Sequence, residues 1–178
     1  MGSFYMQKVL GVEQPRVGLA NIGTEKTKGG PLQLEAYGLM EASSYHFIGN
    51  VEARDVPFGA CDVLVADGFT GNMLLKMYEG VAGAMMANIK GIFKQNAITK
   101  LSALMIKNGL MDFKKRMDYT EFGGAPLLGI SKPVIKAHGS SNAKAFCSAI
   151  RQAKQFSETG VIENIANAVT KSAQASEA

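Results

Sequence analysis

Residues 65–76 have the sequence VADGFTGNMLLK, in which an apolar run passes through a glycine-bearing turn into a helical pattern. The run at 63–65 is typical of a buried strand, and the apolar residues after Asn72 recur at helical spacing. A second stretch, IKAHGSSNAKAF at 135–146, has the same order of strand, turn and helix. Strands that alternate with helices predict an α/β fold with a mainly parallel sheet and helices on both faces. Short apolar runs over 122–137 favour a strand or hairpin before the last two helices.

Both turns also have the composition of an anion site. Backbone N–H groups and the positive end of the helix dipole meet at the start of such a helix, and glycine lets an anionic oxygen approach the main chain. Phosphate is the expected ligand. The candidate phosphate-binding residues are Gly68, Thr70, Gly71, Gly139, Ser140, Ser141 and Asn142. The alternative for either turn alone is that Thr70, Ser140 or Ser141 only caps its helix.

The composition predicts a single globular α/β domain over residues 1–178, ending in a disordered tail at 171–178. With 178 residues, of which 47% are apolar, the chain can bury a core. No segment approaches the ~18 uncharged apolar residues that span a bilayer, and the start of the chain lacks the pattern of a secretion signal. Cys61 and Cys147 lie in apolar contexts without metal-ligand spacing. We therefore expect reduced, buried thiols in a cytoplasmic protein, and no metal site.

The positive charge is concentrated in one segment. From Lys90 to Met117 seven basic residues face one acidic residue, and the rest of the chain carries a net charge of −2. Such a block favours a local anionic partner over general binding along nucleic acid, so we expect no nucleic-acid role.

The same segment predicts a helical hairpin over 97–118, with its turn at Asn108 and Gly109. Apolar residues at helical spacing are flanked by lysines, which is typical of an element that lies in an anionic membrane surface. The candidate membrane-contacting residues are Leu104, Met105, Leu110, Met111 and Phe113. The alternative is a helical pair that packs on the domain or at a dimer interface.

Four strings in order along the chain resemble a known family. They are VGLANIGTEKTKGG, FIGNVEARDVPFGACDVLVADGFTGN, GGAPLLGISKPVIKAHGSSNAKA and AIRQA. Together they resemble the C-terminal half or so of the bacterial phosphate acyltransferase family, PlsX. The resemblance implies a fold related to the isocitrate dehydrogenase and phosphotransacetylase group, incomplete at its N-terminus. It also implies transfer of a fatty acyl group from acyl carrier protein to inorganic phosphate for phospholipid synthesis, without a cofactor, by a homodimer bound peripherally to the inner face of the cell membrane.

The implied reaction places phosphate beside a carbonyl whose oxygen becomes negative in the transition state, so donors must be aimed at both. Lys28, in the loop after the first strand, could hold phosphate, and Asn72 could donate to the carbonyl oxygen or to phosphate. His138 could donate to phosphate or protonate the leaving thiolate. The alternatives are a solvated loop lysine, an ordinary helix cap and a structural histidine.

Two other classes of protein stay open on the sequence alone. A metal- and NADP-dependent dehydrogenase of the related fold would need an aspartate cluster near a set of arginines, which the chain lacks. The segment ADGFTG also lacks the GxGxxG pattern of a dinucleotide site. The second class is a truncated, non-catalytic module that binds membrane or carrier protein, and phosphate binding without acyl phosphate formation would identify it.

Overall fold

The structure, a computed structural model, describes residues 1–117, 123–139 and 141–176, with side chains described for 1–113, 123–139 and 141–170. The first elements are α1 (Gly2–Lys8), β1 (Val17–Asn21), α2 (Pro31–Glu41), β2 (Phe47–Glu52), a 3₁₀ helix (Val56–Phe58) and β3 (Val63–Val65). They are followed by α3 (Gly68–Phe93), α4 (Ala97–Met105), α5 (Lys107–Met117), β4 (Gly124–Pro126), β5 (Ile135–Ala137), α6 (Ala143–Glu158) and α7 (Val161–Ser176).

Three strands form a parallel sheet in the order β2-β1-β3. The helix α2 connects β1 to β2 and packs on both strands. Its buried Met40 joins Val17 and Leu19 of β1 in one hydrophobic cluster. Tyr37 packs edge to face on Phe47, with ring centroids 5.1 Å apart. The predicted α/β arrangement with parallel strands is confirmed for these elements.

A guanidinium and carboxylate pair joins the beginnings of β1 and β3. Asp62 Oδ2 accepts hydrogen bonds from the Arg16 backbone N–H at 2.7 Å and from Arg16 Nε at 3.0 Å, while Oδ1 accepts from Nη2 at 3.0 Å. The same guanidinium donates to the carbonyls of Gly59 and Ala60. In return, the N–H groups of Asp62 and Val63 donate to the Arg16 carbonyl. The hydrogen bonds from Arg16 lower the pKa of the Asp62 carboxyl to about 2.

The strand before the second turn lies in a separate sheet. β5 pairs with β4 in an antiparallel hairpin, and the Leu127 N–H donates to the Val134 carbonyl across it at 2.9 Å. The short connection between the two strands permits antiparallel pairing, whereas parallel strands need a longer crossover. β5 therefore leads into the second turn as predicted, and the hairpin expected within 122–137 is confirmed, as a sheet separate from the parallel one.

Gly123 lies at the start of this hairpin with a φ of +80°. A Cβ at this position would lie 2.3 Å from the backbone nitrogen of Ala149, so glycine is what lets the hairpin approach α6. On α6, Phe156 is buried with Val161 of α7 and with Val9, which follows α1. The first helix and the last two helices thus share one hydrophobic cluster beside the hairpin.

The long helix α3 buries none of its 26 residues. It begins at Gly68 and not at Asn72, the predicted start, because Asp67 caps it. Large apolar side chains along it, including Met73 and Met77, are more than half exposed. An apolar surface of this length is typical of a face that packs against another chain or chain segment.

Two helices occupy the predicted hairpin over 97–118, but the turn lies at Ile106 and not at Asn108 and Gly109. Asn96 caps α4 by accepting a hydrogen bond from the Thr99 N–H at 2.9 Å. Asn108 and Gly109 lie in the first turn of α5. The backbone N–H groups of a first turn have no partner within the helix, so residues typical of turns are tolerated there.

The end of the chain differs from the sequence prediction. α7 extends to Ser176, whereas the sequence predicts a disordered tail over 171–178. Ala173 and Ala175 lie in this stretch, and alanine has the highest helix propensity of all residues. Local propensity therefore prolongs α7 into a stretch that its small, polar composition assigns to a tail.

The two cysteines lie in different surroundings. Burial raises the pKa of the Cys61 thiol, which is only partly covered, and Cys147 is exposed on α6. The expectation of two buried thiols is therefore wrong for Cys147. Ala145 and Ala149 are four residues apart and share the buried side of α6. Cys147 lies two residues from each of them and therefore faces a different side of the helix.

The low pKa of Asp62 predicts a specific dependence of stability on pH. A carboxyl whose folded-state pKa is depressed from 3.8 to about 2 contributes stability that is fully present above about pH 4 and is lost as the pH falls through about 2. We expect Asp62→Asn to lower the free energy of unfolding at pH 7, and the difference from wild type to shrink between pH 4 and pH 2. Urea titrations at several pH values measure it.

The matched control for this experiment is Glu79→Gln, which breaks the exposed ion pair between Glu79 and Lys76 on α3. We expect little change in stability at any pH for this variant. A difference between wild type and Asp62→Asn that is the same at pH 7 and pH 2 would show that the charge on Asp62 contributes nothing.

Candidate active site

The loop after β1 places Lys28 at the carboxyl end of the parallel sheet. Residues 22–30 lead into α2, whose N-cap Gly30 donates its N–H to Gln33 Oε1. The Lys28 N–H donates to the Glu25 carbonyl at 3.1 Å, and the Lys28 ammonium lies 4.0 Å from Glu25 Oε1. Both side chains are about half exposed. Such a pair is weak in water, so an anion can compete for the ammonium.

The N-terminus of α3 is occupied by a carboxylate of the chain itself. Asp67 Oδ1 accepts hydrogen bonds from the N–H groups of Phe69 at 3.0 Å and Thr70 at 2.9 Å, and Oδ2 accepts from the Thr70 hydroxyl. These bonds, those from Thr70 most of all, lower the pKa of the Asp67 carboxyl. The Gly71 N–H donates to the Asp67 carbonyl. Asp67 is thus the helix cap, and the alternative that Thr70 is the cap is wrong.

Gly68 and Asn72, two of the predicted site residues, are exposed near the start of α3. Gly68 is the first residue of α3, and Asn72 is exposed one turn further along. Since Asp67 fills the cap position, the alternative of a capping role for Asn72 is also wrong. The Asn72 amide therefore lies on the helix surface, close to the turn and outside its cap.

The second turn follows β5 and has a different cap from the one expected. Asn142 Oδ1 accepts from the Ala145 N–H at 2.9 Å and so caps α6, which leaves Ser141 outside the cap position. The Ser141 N–H donates to the His138 carbonyl at 3.0 Å. His138 and Gly139 are exposed. Ser140, another predicted phosphate contact, lies outside the described residues.

The parallel sheet brings two of the three candidate catalytic residues to one edge. β1 and β3 are neighbours and run in the same direction, with Leu19 opposite Val65. The loop that carries Lys28 and the turn that leads to Asn72 therefore leave the sheet at the same edge, where ligands of open α/β sheets bind. His138 follows a strand of the other sheet, so the parallel sheet does not bring it to this edge.

Sequence reasoning missed two asparagines that support this edge. Asn21 is the last residue of β1, and its side chain bonds both the loop and the side chain of Asn50 in β2. Asn50 is buried in the middle of its strand. Asparagine is depleted in strands, so a polar residue inside an apolar strand pattern was the signal that could have pointed to both.

The described residues do not form a metal centre of the usual kind. No group of three His, Cys, Asp or Glu side chains lies together within the described parts of the chain. Asp62 is paired with Arg16, and Asp67 caps α3. The aspartate cluster that the alternative dehydrogenase needs is therefore not formed by these two residues.

An apolar groove lies between α3 and the helical hairpin. Its volume is about 670 Å³. Three lysines and several apolar residues line it. Lining residues are Met86, Ala87, Ile89, Lys90, Phe93, Lys94, Lys100, Ala103 and Leu110.

On α4, Leu104 and Met105 are 67% and 83% exposed. On α5, Met111 is exposed, while Leu110 and Phe113 are partly buried. No helix of the described residues is long and apolar enough to cross a membrane.

Known proteins whose sequences are similar to this chain are longer than it is. The family model for a fatty acid synthesis protein matches residues 1–164. The chain is 54% identical to a phosphate acyltransferase of Lysinibacillus sphaericus, over 95% of this chain and 51% of the relative. It is 53% identical to a phosphate acyltransferase of Brevibacillus brevis, over 96% of this chain and 51% of that relative. The chain thus spans about half the length of the curated relatives it matches.

The capping role of Asp67 gives a stability prediction. Replacing an N-cap aspartate by alanine typically costs about 1 kcal/mol, so we expect Asp67→Ala to lower the free energy of unfolding by roughly that amount. Asp67→Asn keeps an oxygen that can accept from the Phe69 and Thr70 N–H groups and should retain most of the stability. Urea denaturation of both variants measures the difference. Equal stability of Asp67→Ala and wild type would contradict the assignment of the cap.

Proposed function

The chain belongs to the fatty acid synthesis protein family, and we propose that it transfers a fatty acyl group from acyl carrier protein to inorganic phosphate. The product is an acyl phosphate for phospholipid synthesis. The observation that carries the proposal is the identity to curated phosphate acyltransferases along nearly the whole chain. We also propose that the three-stranded sheet is part of a fold of the isocitrate dehydrogenase and phosphotransacetylase type.

The proposed reaction is a nucleophilic substitution at a thioester. A phosphate oxygen attacks the carbonyl carbon, the bond from carbon to sulfur breaks, and the carrier-protein thiolate leaves. Lys28 holds the phosphate, and Asn72 donates a hydrogen bond to the carbonyl oxygen as it becomes negative. His138 donates to phosphate or protonates the thiolate. The common sheet edge of Lys28 and Asn72 supports the first two roles.

The glycine turns complete the proposed phosphate site. At α3, Asp67 already accepts from Phe69 and Thr70, so phosphate would meet Gly68 and the outer side of the turn at Thr70 and Gly71. At α6, the side chain of Asn142 accepts from the Ala145 N–H. Gly139, Ser140, Ser141 and Asn142 are the proposed contacts there.

We further propose that the protein is cytoplasmic and that the helical hairpin holds it on the anionic inner surface of the cell membrane. The exposed apolar side chains of Leu104, Met105 and Met111 support this, because they lie beside the lysines of the basic segment. Leu110 and Phe113 are partly buried, and Leu110 lines the groove between α3 and the hairpin. The exposed apolar face of α3 suits a homodimer, which is the proposed assembly.

The catalytic roles predict large effects of single substitutions. Loss of an electrostatic or acid and base group typically lowers a rate by ~10² or more. We expect Lys28→Ala, Asn72→Ala and His138→Ala each to lower the rate of acyl transfer by that factor while the melting temperature stays close to wild type. The assay is phosphate-dependent release of carrier-protein thiol from a long-chain acyl carrier protein.

The chain is assayed alone and together with the part of the Lysinibacillus sphaericus relative that it does not span. Lys132→Ala, which removes another exposed lysine, is the matched control for Lys28 and should keep the wild-type rate. Near-normal rates for all three site variants would refute the site. Phosphate binding without release of thiol in either assay would identify a non-catalytic module instead.

The membrane proposal predicts binding to anionic vesicles that weakens with salt. Each lysine near such a surface contributes about 1 kcal/mol, and exposed apolar side chains add to it. We expect Leu104→Glu with Met105→Glu to abolish co-sedimentation with vesicles of phosphatidylglycerol. Leu39→Glu, a control at a side chain of α2 that is 70% exposed, should pellet like wild type.

A dimer interface at the hairpin would give a different result. In that case the double variant would pellet with vesicles as well as wild type does, and sizing chromatography would show a smaller particle. That outcome would rule out the hairpin as the membrane contact.

A further inference from the structure

Asn50 is the one buried polar side chain among the described residues, and it lies in the middle of β2. A buried amide without hydrogen bonds is costly, and an apolar residue would suit a strand interior better. Both ends of this amide are bonded. Asn50 Nδ2 donates to the Glu25 carbonyl at 2.8 Å, and Asn50 Oδ1 accepts from Asn21 Nδ2 at 3.1 Å.

Asn21 links the same network to the other end of the turn. Its Nδ2 also donates to the Lys28 carbonyl at 2.9 Å, and its Oδ1 accepts from the Ile22 N–H at 2.8 Å. The two asparagines therefore bind the carbonyls of Glu25 and Lys28, the residues whose backbones close the turn. The turn is attached to β1 and β2 at both of its ends.

The other attachment of the loop is at its surface, where Lys26 pairs with Glu41 of α2 and lies over the Tyr37 ring. Such an exposed ion pair is weak in water. Residues 24–28 are exposed, and Ile22, its large apolar side chain, is 83% exposed. Gly29 has a φ of +96°, and a Cβ there would lie 3.0 Å from both terminal atoms of Asn21. Glycine thus leaves room for the asparagine side chain at the end of the turn. Few packed contacts mean that the hydrogen bonds decide how well the loop is ordered.

We infer that Asn21 and Asn50 are positioning residues, which hold the turn from Glu25 to Lys28 so that the Lys28 ammonium faces the phosphate site. The inference rests on the proposed function of Lys28. It assigns to Asn21 at the end of β1 and to the buried Asn50 of β2 a role that acts through the backbone of the loop and does not touch substrate. The backbone of Lys28 is held in place before an anion binds. Binding of the anion by the Lys28 ammonium therefore costs less conformational entropy.

Limited trypsin digestion tests the positioning directly, because trypsin cleaves after Lys26 and Lys28 only when their backbone is free to open. We expect Asn50→Ala to raise the rate of cleavage at these two sites at least tenfold. Asn164→Ala is the matched control, since Asn164 also donates its amide to a backbone carbonyl, that of Gly160. It should leave cleavage at Lys26 and Lys28 unchanged.

Cleavage that rises equally at lysines throughout the chain would reflect general unfolding of Asn50→Ala. In that event Asn21→Ala decides, because Asn21 is partly exposed. This variant loses the bonds to Lys28 and Asn50. Unchanged cleavage at Lys26 and Lys28 in a folded variant overturns the inference, whatever its activity. Selective cleavage there supports it.

A double-mutant cycle shows whether the asparagines act through Lys28. We expect Asn50→Ala to lower the rate of acyl transfer at least tenfold, and to have no further effect when Lys28 is already alanine. Equal effects of Asn50→Ala with and without Lys28 would mean a general structural role and overturn the inference. A normal rate for Lys28→Ala alone, with selective cleavage in Asn50→Ala, would instead reject the proposed role of Lys28 and leave the attachment of the turn in place.

Discussion

The ion pair between Arg16 and Asp62 is the constraint on which the arrangement of the parallel sheet depends. It ties the residue before β1 to the residue before β3 through the side chains and through backbone bonds in both directions. Because both strands start at one fixed point and run in parallel, their carboxyl ends come out together. The loop with Lys28 and the capped start of α3 owe their proximity to this pair at the opposite end of the sheet.

Backbone polar groups at the carboxyl edge of the parallel sheet are hydrogen-bonded by side chains in two different ways. Carbonyl groups of the loop accept hydrogen bonds from the amides of Asn21 and Asn50, whereas the N–H groups at the start of α3 donate to the carboxylate of Asp67. The second arrangement already places a negative charge at the helix dipole. The first leaves a positive side chain facing solvent. Of the two features, the loop with Lys28 is therefore the better able to attract a further anion.

The sequence pattern was sufficient for the alternation of strands with helices and for the helices after the two turns, because apolar spacing and turn residues are local properties. It was insufficient where the outcome depends on geometry. Asp67 and Asn142 cap their helices in place of Thr70 and of Ser141 because capping requires an extended backbone at one position, which composition does not specify. The amide bonds of Asn50 likewise arise only once the chain has folded.

The length of α3 separates the candidate site from the helical hairpin. A helix of 26 residues spans about 39 Å, with the candidate site at its beginning and the hairpin with its exposed apolar side chains beyond its end. A lipid acyl chain reaches across one leaflet, about half of the ~30 Å hydrocarbon core. If the proposed function holds, a fatty acyl group bound at the start of α3 would therefore be too short to touch a bilayer at the hairpin. Delivery to the lipid phase would then have to follow release from the site, and the acyl phosphate would be a diffusing intermediate and not a tethered one.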